Sequence, residues 1–102
     1  MSRKPYTISD IKSLVMPVAV HYGVDRVLLF GSYARGEATQ DSDIDFHIDK
    51  GDIRGYFRLA GFHRELEEAL DISVDVLTTG ALDEEFLSRI AGEEVVIYER
   101  AR

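Results

Sequence analysis

The 102-residue sequence contains no cysteine. That excludes disulfides and thiolate metal sites and suits a reducing cytoplasm. No apolar run approaches the ~20 residues needed to cross a bilayer. The opening segment MSRKPYT has basic residues but no apolar stretch behind them, so it does not read as a secretion signal. Positive charge is scarce too, with 12 Lys+Arg against 19 Asp+Glu and a formal net charge of −7. Proteins that hold polynucleotides displace counterions with basic surface, so stable nucleic-acid binding is disfavoured. A bound divalent cation or a basic protein partner would offset the acidity. No internal repeat, low-complexity tract or linker is present. Length and a 45% apolar content predict one domain, residues 1–102, with a modest core.

The patterning alternates helix and strand. Residues 7–22 predict a first helix, with capping-box spacing at Thr7 and Asp10 and an apolar face of Ile11, Leu14, Val15, Val18 and Tyr22. Pro17 should kink it, and Gly23 should end it. Arg26–Phe30 reads as a buried strand, 32–36 as a short helix, and 37–42 as a polar loop. Asp43–Asp49 alternates Ile44, Phe46 and Ile48 against Asp43, Asp45, His47 and Asp49, the signature of a two-faced strand. A second long helix is expected over 53–70, on a face of Tyr56, Phe57, Ala60, His63, Leu66 and Leu70. A strand over Ile72–Leu77, a helix carrying Leu82, Phe86, Leu87 and Ile90, and a last strand at Val95–Tyr98 complete the chain. The expected class is α/β (α+β), a small mixed sheet flanked by helices.

Chemistry concentrates in VLLFGSYARGEATQDSDIDFHID, residues 27–49. Gly31 ends a buried strand, where the missing Cβ lets a ligand approach the backbone. A helix starting at Ser32 would offer free N–H groups and a hydroxyl to an anion; the plain alternative is an ordinary N-capped turn. Asp43 and Asp45, two apart on a strand, share a face, and two such charges favour a cation between them. Mg²⁺ takes carboxylate, phosphate and water oxygens and suits the pair; the alternative is a solvated strand face. Asp75 is an acid in an otherwise apolar strand that would face the same side in the right register. Three carboxylates can hold two ions. Arg35 lies three residues after Ser32, placed either to grip a phosphate or to pair with Glu37 or Asp43. His47 reads as a satisfied polar neighbour on the acidic face, and His21 and His63 as surface or packing residues.

Together these residues form one pattern: Gly31-Ser32-x-x-Arg35-Gly36, six intervening residues, Asp43-x-Asp45, and Asp75 one helix later. The pattern resembles that of the nucleotidyltransferase superfamily, which includes kanamycin nucleotidyltransferase and the DNA polymerase β-like enzymes. At this length the chain looks most like the minimal nucleotidyltransferases (MNT, MntA-like), and GSYARGEATQDSDIDF matches them at every key position. The resemblance implies a palm-like nucleotidyltransferase fold, with the triphosphate at Gly31 and Ser32; Arg35 stays a phosphate candidate on its spacing alone. It makes Asp43, Asp45 and Asp75 the catalytic carboxylates and the ligands of Mg²⁺, two ions in all. The implied reaction moves AMP from ATP to a hydroxyl and releases pyrophosphate.

Larger members of that superfamily carry extra domains for the acceptor, and this length leaves no room for one. Proteins of the minimal kind pair with a helical HEPN toxin and, as antitoxins, adenylylate it on tyrosine. The expectation is therefore a cytoplasmic antitoxin with ATP and a HEPN protein as partners, no membrane association, and either homo- or hetero-oligomers. Two other readings stay open: a non-catalytic module that silences a HEPN partner by occlusion, and a small-molecule nucleotidyltransferase of the antibiotic-modifying kind.

Overall fold

A computed structural model describes residues 5–101; Met1 to Lys4 of the segment read as lacking a secretion signal, and Arg102 of the polar tail, lie outside the described residues. The first helix, α1, spans Ile8–Tyr22. Thr7 and Asp10 form the expected reciprocal capping box, and Gly23 ends the helix in the left-handed conformation at φ 71°. The helix continues as one element past the exposed Pro17. Strand β1 (Arg26–Phe30) leads through Gly31 into the one-turn helix α2 (Ser32–Arg35). Then come β2 (Ile44–Asp49), α3 (Gly55–Leu70), β3 (Val74–Thr78), a 3-10 turn at Thr79–Ala81, α4 (Glu84–Ala91) and β4 (Val95–Glu99). The second strand thus starts one residue later than expected, leaving Asp43 just ahead of it.

The sheet order is β3-β2-β1-β4. Strand β1 runs antiparallel to both β2 and β4, whereas β2 and β3, joined through α3, are parallel. A parallel pair needs such a helical crossover. The mixed sheet flanked by helices agrees with the sequence expectation. Alternation then gives the sheet two chemically different faces. Val27, Leu29, Ile44, Phe46, Ile48 and Val74 are buried with Ile11, Val15 and Ala19 of α1 and Phe62, Leu66 and Leu70 of α3 in a single core. The opposite face carries Phe30, Asp45, His47 and Asp75, and α4 reaches over it through an edge-to-face contact between Phe30 and Phe86, centroids 5.9 Å apart.

One helix face was misread in its first half, while Leu66 and Leu70 are buried as expected. Tyr56 and Phe57 are 79% and 89% exposed, while Phe62 is fully buried. The buried stripe of α3 is Phe62, Leu66 and Leu70, with Leu59 partly buried beside it, because those positions meet Tyr22 and the rest of α1. No described helix is long and apolar enough to cross a membrane.

Candidate active site

The turn after β1 is shaped by two carboxylates. Gly31 has φ 78° and ψ −157°, a combination that only glycine adopts readily. A Cβ placed there would stand 2.3 Å from Asp45 Oδ2. Its missing side chain therefore makes the room in which the Asp45 carboxylate sits. On its other side the Gly31 N–H donates to Glu93 Oε2 at 2.8 Å. Ser32 opens α2 and is partly exposed; its carbonyl accepts from the Glu37 amide at 2.9 Å.

Of the three acids singled out by sequence, Asp45 and Asp75 are direct partners in the parallel register of β2 and β3. Register partners in a sheet project to one side, as required of a shared site. The Asp45 pKa is pushed up to about 6, first by burial, next by a hydrogen bond with Asp75, then by the charges of Asp75 and Asp43, against a small opposing pull from Arg35. Asp43 is exposed and reaches this pair through its charge. Among the described residues, no three His, Asp or Glu side chains already stand close enough together to hold an ion.

The donor set nevertheless fits a hard divalent cation. It is all oxygen, two of its carboxylates are register partners on adjacent strands, and a third acid sits two residues away in sequence. An ion there would offset the repulsion from the Asp75 and Asp43 charges that helps raise the Asp45 pKa. The nearest imidazole is committed elsewhere. His47, 4% exposed, has Nδ1 at 2.5 Å from Glu94 Oε2 and Nε2 at 2.6 Å from Thr79 Oγ1, and the Thr79 hydroxyl also bonds Asp49. The expected satisfied polar neighbour is what the structure contains.

Arg35 is held by two acids, Nε to Glu37 at 2.9 Å and Nη1 to Glu93 at 3.1 Å. Its pairing with Glu37 was foreseen; the second partner is Glu93, where Asp43 had been the other expectation. Glu93 and Glu94, in the link between α4 and β4, are the two residues at this site that sequence reasoning missed. Their one signal was an acidic pair directly after the helix-ending Gly92.

Comparisons with known proteins identify the family and the fold. The sequence matches the family model described as polymerase beta, nucleotidyltransferase over residues 14–102. The Methanocaldococcus jannaschii protein MJ0435, named as a candidate protein adenylyltransferase, is 39% identical over 88 residues, which is 86% of this chain and 95% of that one. The solved structure of a candidate minimal nucleotidyltransferase superposes with a TM-score of 0.76 at 27% identity, covering 88% of this chain and 95% of its own. A chain in the complex of a tri-AMPylated Shewanella oneidensis HEPN toxin with its MNT antitoxin gives a TM-score of 0.69 at 16% identity, over 92% of this chain and 74% of that one. At that identity the likeness is one of fold.

Proposed function

The chain belongs to the polymerase β nucleotidyltransferase family, and on that premise we propose that it transfers AMP from ATP, with Mg²⁺, to a hydroxyl of a protein partner. The observation that carries the reading is the facing pair Asp45 and Asp75 with Gly31 pressed against Asp45. Oxygen donors beside a turn whose amide and neighbouring guanidinium already hold a carboxylate support that reading.

In this reading Asp43, Asp45 and Asp75 hold the magnesium, with Asp43 turning inward to complete the set. Bound Mg²⁺, two ions, supplies neutralisation of the triphosphate and a lowered pKa for the acceptor hydroxyl. The Gly31 amide, Ser32 and Arg35 bind the phosphates and align them for in-line attack. The acceptor oxygen attacks the α-phosphorus, the bond to the bridging oxygen breaks, pyrophosphate leaves with that electron pair, and Asp75 takes the hydroxyl proton.

The relatives named as protein adenylyltransferases, and the AMPylated HEPN toxin bound to its MNT antitoxin, support AMP as the transferred group and a HEPN toxin as the acceptor, with tyrosine as the acceptor residue that the family resemblance implies. The acidic net charge of −7 suits a basic, RNA-cutting partner. The use of ATP as donor supports the cytoplasm as the compartment in which the pair acts.

The test incubates the protein, Mg²⁺ and labelled ATP with the product of the neighbouring gene. The label should move to the partner, and an Asp43→Ala/Asp45→Ala variant should transfer none. Absence of transfer, with toxicity still neutralised by the double variant, refutes the chemistry and leaves occlusion.

A further inference from the structure

We propose that Glu93 is a built-in competitor for the nucleotide's phosphates, an internal carboxylate that occupies their subsite until ATP displaces it. The inference rests on the reading above that Gly31 and Arg35 bind the triphosphate. Glu93 Oε2 accepts from two donors at once, the Gly31 N–H at 2.8 Å and Arg35 Nη1 at 3.1 Å. A backbone amide and a guanidinium converging on one anionic oxygen satisfy a phosphate oxygen as well as a carboxylate. The single Gly31 N–H cannot serve both anions at once.

The surroundings leave Glu93 free to yield. Its backbone is anchored, since the amides of Glu93 and Glu94 both bond the Ile90 carbonyl at 3.0 Å. Glu94 is pinned at 2.5 Å to His47, and those two side chains are 13% and 5% exposed. The Glu93 side chain, 26% exposed, can swing towards solvent by rotamer change with no backbone shift. Arg35 would keep its tie to Glu37 and exchange only the other one. A state in which the donors are already taken lowers apparent affinity by the fraction of molecules that are competent to bind. Glu93 therefore weakens ATP binding in the isolated chain.

The experiment measures, by titration calorimetry at fixed Mg²⁺, the affinities of ATP and of inorganic tripolyphosphate for the native protein and for Glu93→Ala and Glu93→Gln. Tripolyphosphate isolates the phosphate chain from the base. Both ligands should bind about tenfold more tightly to Glu93→Ala, the scale of releasing two charge-assisted contacts. Glu93→Gln, which keeps the shape and loses the charge, should gain by a smaller factor and serves alone if the alanine variant does not fold. ATP binding that is unchanged or weaker in the folded variants overturns the proposal, as does a gain confined to ATP. If neither native protein nor variants bind either ligand, the nucleotide reading itself falls and takes this inference with it.

Discussion

Replacing Gly31 with alanine tests whether the phosphate turn and the metal carboxylate share one space. Two costs add at this position. The backbone, at φ 78° and ψ −157°, lies where any residue with a Cβ is strained by about 1–3 kcal/mol. The new methyl would also stand 2.3 Å from Asp45 Oδ2 and 3.2 Å from its Cγ, so the carboxylate must move. Gly36 supplies the control. It has φ 73° and ψ 22°, yet nothing lies within 4 Å of a Cβ placed there. Gly36→Ala should therefore cost only about 1 kcal/mol of left-handed strain, and Gly31→Ala about 2–4.

At about 4–8 °C per kcal/mol for a domain of this size, the melting temperature should fall by roughly 5 °C for Gly36→Ala and by more than about 10 °C for Gly31→Ala. Circular dichroism melts measure both. AMP transfer, assayed where both variants are folded, should drop at least about 100-fold for Gly31→Ala, because a displaced Asp45 misplaces the reacting groups, and stay within about threefold for Gly36→Ala. Equal melting temperatures and equal activities for the two variants would refute the shared-space argument.

Two further outcomes test other parts of the structure. The Asp45 carboxyl, with its pKa raised to about 6, keeps its proton in the folded state to higher pH than in the unfolded chain. Its stabilising contribution is thus complete below pH ~4 and lost as pH rises through about 6; after discounting for partial exposure it amounts to about 1 kcal/mol. NMR titration of that carboxyl without metal should show the raised midpoint, and Mg²⁺ should lower it, since the ion binds only the carboxylate; an ordinary midpoint contradicts the burial argument. In α3, Phe62→Ala removes a fully buried ring and should cost about 3–5 kcal/mol, whereas Phe57→Ala, at 89% exposure, should change stability by less than about 0.5, both read from denaturant melts.

The contrast between those two phenylalanines shows where local pattern stops being sufficient. Period-two alternation is a property of each strand by itself, so the faces of β2 could be read directly, and a helical crossover makes the parallel β2–β3 pairing that sets Asp75 beside Asp45. In α3, by contrast, helical spacing fits overlapping stripes. Tyr56, Ala60 and His63 recur as regularly as Leu59, Phe62 and Leu66, and the large aromatics tipped the first half of the helix to the wrong stripe, while Leu66 and Leu70 were assigned correctly. Only the position of α1, with Tyr22 edge-on to Phe62 at 5.6 Å, decides which stripe is buried.

Glu93 was illegible for a related reason. An acid in a short polar link reads as solvated, and its contact with Gly31 spans 62 residues. It follows from strand pairing: Leu29 faces Val95 in the antiparallel register, so two further steps along each chain bring Gly31 opposite Glu93. The same geometry explains why the contact forms at the strand ends. There the ladder stops, the Gly31 amide has no backbone partner across from it, and a carboxylate from the neighbouring chain segment supplies one. Any anion that takes over that amide must compensate it as well as Glu93 does. That requirement makes the exchange at Gly31 part of the cost of binding nucleotide.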